Sequence, residues 1–237
     1  MKNNTQWFVR MFGDTKAHKE HILVVLAMFS VTLLYEWLAS IAVPDFSFNW
    51  YEFVGTFAGL VCVWLTRTQN VLCWPWGIIS AVSFGFFFSE IGLPGQQWLN
   101  WGYFLIIQLW AWPHWVFGGK EHSELPVTKL HRFGWLLLVV CIVVGTGIVY
   151  QLIDYISPTA QYPLLDALVV SSSITAQFLL GRKIVESWWL WLGPVNLLSI
   201  ILFFLAGAYV ATALYGAFFI HAMFALRTWY RDLQLRN

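Results

Sequence analysis

The stretch FGWLLLVVCIVVGTGIVYQLI (Phe133–Ile153) decides the fold. It runs for 21 residues without a charged side chain. An α-helix needs ~20 mostly apolar residues to cross a ~30 Å hydrocarbon core. Working outward in both directions, seven further segments share this character: 21–42, 50–66, 73–92, 97–117, 163–181, 187–207 and 209–229. Each is too long and too continuously apolar for a barrel strand, whose lipid and lumen sides alternate. The composition of the 237 residues agrees, being 59% hydrophobic and 11% charged, with 16 Trp and 20 Phe. Soluble domains carry about 25% charge, so this chain cannot cover a water-facing surface. A disordered chain, a nucleic-acid binder and an ordinary soluble enzyme are excluded. Cys62, Cys73 and Cys141 lie far apart inside apolar runs with no CxxC, and read as small apolar residues rather than a disulfide or zinc frame. The expected fold is an all-α polytopic membrane protein with eight spans.

Basic residues orient the spans. With the N-terminus inside, eight spans return the C-terminus inside, and all 13 Lys and Arg fall on cytoplasmic segments. The opposite ends carry acids instead: Asp45, Glu52, Glu90, Asp154 and Asp166. Moving the helix count by one breaks this asymmetry. The first ~18 residues hold Lys2, Arg10 and Lys16 but no apolar region with a cleavage site, so they read as a cytoplasmic lead-in and not a signal peptide.

An internal repeat follows. Sliding the chain by 116 residues puts Arg67 on Lys183, Gly77 on Gly193 and Ser83 on Ser199; after a two-residue deletion, an offset of 114 puts Gly102 on Gly216 and Trp115 on Trp229. The repeat unit is three helices, with a single helix between the copies. An odd linker makes the copies run parallel about an axis along the membrane normal, the SWEET-type arrangement. The expected organisation is a lead-in and extra helix (1–47), a first three-helix repeat (48–117), an inner loop and linker helix (118–162), a second repeat (163–230) and a cytoplasmic tail (231–237).

Polar side chains at mid-bilayer depth need a reason, because an unpaired polar group there costs several kcal/mol. Gln108 lies near the centre of the fourth span and Asn196 near the centre of the seventh. Helix–helix bonding, worth ~0.6 kcal/mol on average, and ligand binding both fit each amide alone. Their common depth in different repeats favours a shared site. Helical spacing extends it: Asn100, Phe104 and Gln108 form one stripe, Trp76, Ser80 and Ser83 a second, and Trp188, Trp191, Asn196 and Ser199 a broad face, spanning about 140° at ~100° per residue. Pro194 frees the carbonyl of Leu190 near that face. Such a lining suits a flat ligand with polar edges: indole faces attract cations at ~0.5–2 kcal/mol, and an amide exchanges two hydrogen bonds with another amide. Coupled pumps carry acidic or histidine relays in the membrane. Here Glu36, in the extra first helix, is the only acid well inside a span, and His221 is the only deep histidine. There is no Walker loop, no HExxH and no Ser/His/Asp set at one depth, so neither enzymatic activity, nor a cofactor, nor a metal is expected.

At WPWG (Trp74–Gly77), NWGYFLIIQLW (Asn100–Trp110) and WWLWLGPVN (Trp188–Asn196), the chain resembles the PnuC family of bacterial nicotinamide riboside transporters. The resemblance covers about 48–230. It implies a SWEET-like 3+1+3 fold, a homotrimer in the bacterial cytoplasmic (inner) membrane, and facilitated diffusion without a coupling ion. Substrate would be trapped by a cytoplasmic riboside kinase. The family's binding motif matches Trp188, Trp191 and Asn196, with Gln108 and Asn100 at its helix-four polar positions. The extra N-terminal helix departs from the 3+1+3 pattern. Related members carry riboflavin and thiamine, so the family admits other vitamins. Two further readings compete: a SWEET-like sugar uniporter, separable by competition between nicotinamide riboside and glucose, and a Trp-rich haem-handling protein. The latter wants axial histidines beside an outer Trp-rich loop, whereas the six histidines here lie mostly on the inner side.

Overall fold

The computed structural model describes residues 9, 11–12, 15–42, 46–90, 97–156, 158, 161–205 and 209–236. Eight long helices run through the described residues: α1 Thr15–Ala42, α2 Trp50–Arg67, α3 Cys73–Glu90, α4, α5 Arg132–Ile156, α6 Pro163–Gly181, α7 and α8 Tyr209–Arg236. Two of them are composite. Helix α4 joins a π-helical start, Leu99–Phe104, to an α-helical body, Leu105–Phe117; α7 joins Ser187–Leu190, a π-helical run Trp191–Leu197, and Leu198–Leu205. No strand occurs among the described residues, only an isolated parallel bridge between Thr128 and Ile184. The segments read from hydropathy and the helices agree to within a few residues at most ends. Asp45 and most of the connections near 45, 94, 157 and 208 lie outside the described residues.

Among the described residues, three helices are long and apolar enough to cross a membrane by length and composition alone: His18–Ala42, Arg132–Ile156 and Pro163–Gly181. In α5 only 11% of the apolar window is buried, and side chains such as Leu136, Val139 and Val143 are exposed. At roughly 25 cal/mol per Å² such exposure is untenable in water and costs nothing against lipid tails. The chain is an all-α polytopic membrane protein.

The chain forms two compact units, Met1–Leu125 and Pro126–Asn237. In the first, α1 packs on α2, α2 on α3 and α3 on α4. Asn49 ties this unit together at one end. Its Oδ1 accepts from the N–H groups of Tyr51 (2.8 Å) and Glu52 (3.1 Å), capping α2, while its Nδ2 donates to Glu90 Oε2 at 2.8 Å. A stripe of small residues on α3, Gly77, Ala81 and Gly85, receives α4: the Trp101 indole lies over Gly85 and the Gln108 amide over Gly77. Small residues let helices approach closely where lipid offers no hydrophobic drive. In the second unit α5 packs on α6, α6 on α7 and α7 on α8. The segment after Pro126 is pinned beside the α6–α7 turn, where Thr128 N–H donates to Lys183 O and Val185 N–H to Thr128 O, both at 3.0 Å. Leu130 N–H donates to the buried Glu186 carboxylate at 2.8 Å.

The α2–α3 and α6–α7 turns are built alike. Gln69 and Lys183 take φ values of 58° and 51°. Asn70 N–H bonds Leu65 O (2.9 Å) as Ile184 N–H bonds Leu179 O (3.0 Å), and Trp74 N–H bonds Val71 O (3.3 Å) as Trp188 N–H bonds Val185 O (3.1 Å). Every one of these pairs is 114 residues apart. The register at the turns is therefore 114, and the sequence pairing of Arg67 with Lys183 is displaced by two. The π runs Leu99–Phe104 and Trp191–Leu197 each lie after the turn of their unit, so the residues they take up alter the offset only beyond the turns.

Candidate functional site

In the first unit the site is built around Gln108. Its side chain crosses to α3, where Nε2 donates to Gly77 O at 3.0 Å. The residue is only 6% exposed, and its Oε1 has no hydrogen-bond partner among the described residues. Asn100 is buried in the π-helical start of α4, where its backbone oxygen accepts from Leu105 N–H, five residues on. This inserts an additional residue into the turn, so the simple i, i+4, i+8 stripe of Asn100, Phe104 and Gln108 holds only for its last two members. Phe104 is half-buried, its ring 5.6 Å from that of Tyr103. Trp76 and Ser80 sit on α3 as expected, but their polar atoms are already engaged. The Trp76 indole N–H donates to His21 Nε2 on α1 at 2.7 Å, and the Ser80 hydroxyl donates to Gly55 O on α2 at 2.8 Å. They bond α3 to its neighbours.

In the second unit the candidates gather on α7. Trp188 is buried, edge-to-face on Trp229 with centroids 5.5 Å apart, and 6.5 Å from the His221 ring. Trp191 is half-buried against a cluster of Leu138, Ala176, Leu179, Leu190 and Val195. Asn196 and Ser199 are both buried. Pro194 sits inside the π run, where its missing N–H cannot close an α-helical bond; Leu198 N–H reaches back five residues to Gly193 O, and also to Val195 O. The 100° wheel read from the sequence does not apply through this run. Residues five apart succeed one another along a face, and Trp191 and Asn196 are five apart. Single π turns occur often at functional sites.

Unmet hydrogen-bonding groups fall on the same residues. The indole N–H groups of Trp188 and Trp191 and the hydroxyl of Ser199 are buried without a partner among the described residues. Leaving such a group unmet costs ~1–3 kcal/mol, and buried polar groups in folded proteins are otherwise almost always paired. The second unit thus offers unpaired indole donors, and Gln108 in the first offers an unpaired acceptor. Ser172 and Ser187 add two more buried, unpartnered hydroxyls. Ser187 carried no signal in the sequence. Ser172 lay within the polar run Ser171–Ser173 but was indistinguishable from its neighbours, which bond Thr146 and Val169. The role of Gly77 was also hidden, since its contact with Gln108 spans 31 positions.

Known proteins share this architecture. A family described as nicotinamide mononucleotide transporter matches residues 49–231. The nicotinamide riboside transporter PnuC of Escherichia coli (strain K12) is 26% identical, over 83% of this chain and 92% of that one. A riboflavin/roseoflavin transporter, RibM of Streptomyces davaonensis, is also 26% identical, over 76% of this chain and 84% of its own. A crystal structure of the vitamin B3 transporter PnuC superposes with a TM-score of 0.70, covering 98% of each chain at 21% identity. With three-quarters of its length inside the matched region, and with the motifs at Trp74–Gly77, Asn100–Trp110 and Trp188–Asn196 inside it, the chain belongs to the nicotinamide mononucleotide transporter family of membrane transporters, the family of PnuC.

Proposed function

We propose that the chain carries nicotinamide riboside across the bacterial cytoplasmic membrane by facilitated diffusion, as a uniporter and not an enzyme. The observation that supports this best is the set of buried polar atoms left unpaired: two indole N–H groups and the Ser199 hydroxyl in the second unit, and the Gln108 oxygen in the first. A flat cation with a carboxamide edge and a hydroxylated sugar carries the kinds of group that such atoms lack. Trp188 and Trp191 hold the pyridinium ring, a cation–π term of ~0.5–2 kcal/mol. In the second unit Asn196 offers an amide to the carboxamide and Ser199 a hydroxyl to the ribose; in the first, Gln108 and Asn100 offer amides of the same kind and Phe104 a further ring. Trp76 and Ser80, bonded elsewhere, support the wall. The substrate's single charge is met by aromatic faces and amide dipoles, which agrees with the scarcity of membrane-embedded acids. Glu36 is on α1, away from these residues in sequence.

The reading brings with it a homotrimer, SWEET-like parallel repeats, and substrate capture by a cytoplasmic riboside kinase. Riboflavin is the second reading, favoured by the likeness to RibM. The test is calorimetric titration of the purified protein with nicotinamide riboside, riboflavin, thiamine and glucose, followed by uptake into proteoliposomes. Nicotinamide riboside should bind tightest and equilibrate without accumulating. Preferential binding of a flavin replaces the substrate assigned here.

A further inference from the structure

We propose that α1 is not an addition to a 3+1+3 core but the first unit's counterpart of α5. The chain is then a tandem repeat of four helices, in which each lead helix braces its own unit. The boundary between the two compact units, at Leu125 and Pro126, leaves α1–α4 on one side and α5–α8 on the other among the described residues. The register of 114 residues that relates the two turns also extends beyond them. Trp74 lies edge-to-face on Trp115 with centroids 4.9 Å apart, as Trp188 does on Trp229 at 5.5 Å, and corresponding members of the two pairs are 114 apart.

Carried back from α5, the same register lands on α1. Leu138 and Thr146 are the buried residues of α5; 114 residues earlier stand Val24 and Thr32, both buried in α1. The half-buried positions follow. Gly134, Ile142, Val149 and Ile153 of α5 fall on Glu20, Met28, Tyr35 and Ala39, each of them covered in whole or in part, and only half-buried Gly145 falls on an exposed residue, Val31. The turns fix the register, so no free shift brings these two faces into phase. On a lipid-facing helix the covered stripe marks where its neighbour lies. That neighbour is the second helix of each unit. Phe57 on α2 and Ser171 on α6 are 114 apart, and both receive the lead helix: the Phe29 ring lies 5.6 Å from that of Phe57, and Thr146 and Ser171 share a hydrogen bond of 2.7 Å.

Each lead helix is also fastened near its start to the region where the third helix of its unit begins. In the first unit Glu20 Oε2 accepts from Asn70 Nδ2 at 3.2 Å, and His21 Nε2 accepts from the Trp76 indole at 2.7 Å. In the second, Leu130 N–H, two residues ahead of α5, donates to Glu186. The chemistry differs and the place is kept. Two bodies of four helices are then joined by the segment 118–131, and α5 moves with the second body rather than hinging between the two.

The first readout is the thermal midpoint of the whole protein, which needs no substrate. Thr32→Phe and Val24→Phe overfill a packed face and should lower Tm by roughly 3–10 °C, as Thr146→Phe and Leu138→Phe should. Leu23→Phe, Leu33→Phe, Leu137→Phe and Gly147→Phe, at exposed positions that again pair 114 apart, should not lower it by more than about 2 °C. A Phe variant too unstable to purify gives way to Thr32→Leu or Val24→Leu, which overfill the same face by less and should melt earlier by less. The second readout is uptake. In a Cys62→Ala/Cys73→Ala/Cys141→Ala background, oxidation of the pair Thr146→Cys/Ser171→Cys ties α5 to α6 and should leave nicotinamide riboside uptake within about twofold of the reduced protein. If the Thr32 and Val24 variants melt with wild type, or the exposed substitutions lower Tm as much as the covered ones, or oxidation stops uptake and a reductant restores it, this inference is overturned and the substrate reading stands. If wild type takes up no riboside, the substrate reading falls alone and the melting series decides this inference.

Discussion

Gln108→Met separates the two uses a buried amide can have. The replacement keeps the length of the side chain and removes both polar ends. In the empty protein it deletes one bond, Nε2 to Gly77 O at 3.0 Å. Helix–helix bonds of this kind average ~0.6 kcal/mol in membranes. It also deletes an oxygen buried without a partner among the described residues, whose burial costs ~1–3 kcal/mol. The second effect is the larger, so the variant should be more stable than wild type by roughly 1–2 kcal/mol. For a chain of this size that corresponds to about 2–8 °C in Tm. Binding moves the other way: the ligand's carboxamide loses its acceptor, and an unmet group of ~1–3 kcal/mol is roughly 5- to 150-fold in affinity. Intrinsic tryptophan fluorescence on a thermal ramp reports the first quantity and calorimetric titration the second. Opposite signs are the signature of a ligand contact held in readiness. If Gln108→Met melts earlier than wild type and binds the riboside normally, the amide is a helix–helix bond and the reasoning about the site is wrong.

Replacing both Gln108 and Asn196 with Ala should weaken nicotinamide riboside binding by more than either single change, with size-exclusion profiles intact; near-wild-type affinity of the double variant would move the site elsewhere. Trp191→Ala should cost at least as much as losing one amide, because a desolvated cation–π contact is worth up to ~2 kcal/mol. Trp76→Phe and Ser80→Ala, which break bonds to His21 and Gly55, should each lower thermal stability by about 1 kcal/mol and leave affinity within about twofold. Glu36→Gln should transport like wild type, and neither protein should accumulate substrate in liposomes under an imposed pH or Na⁺ gradient; accumulation driven by either would establish coupling. A cysteine in place of Pro158 should react with an impermeant label on intact cells and one in place of Ser123 should not, as the distribution of Lys and Arg requires; reversed labelling would invert the topology.

The uncharged run Phe133–Ile153 and its seven counterparts were sufficient for the helices, because the demand that a bilayer places on a chain is local. Each span must be apolar over its own length and must satisfy its own backbone, and both are properties of consecutive residues. The same locality made Trp188, Trp191, Asn196 and Gln108 visible, since a polar or aromatic group at mid-depth is conspicuous against an apolar background. The motif WWLWLGPVN was enough to suggest the family that the comparison of whole chains then identified.

What the residues alone left undecided depends on contacts distant in sequence. Trp76 and Ser80 shared a helical stripe with plausible ligand contacts, and only the positions of His21 and Gly55 reveal that their polar atoms are engaged. The face of α7 was computed for 3.6 residues per turn, and the π run Trp191–Leu197 replaces that period through the motif itself. Gln108 could be recognised as an amide in an apolar helix, yet the bond it makes is to a carbonyl 31 residues earlier. The sequence by itself determined where the helices are and which residues are out of place in lipid, because hydrophobicity is a property of each residue. The tertiary structure decided which of those residues are already partnered, because a hydrogen bond depends on what the fold brings to within about 3 Å.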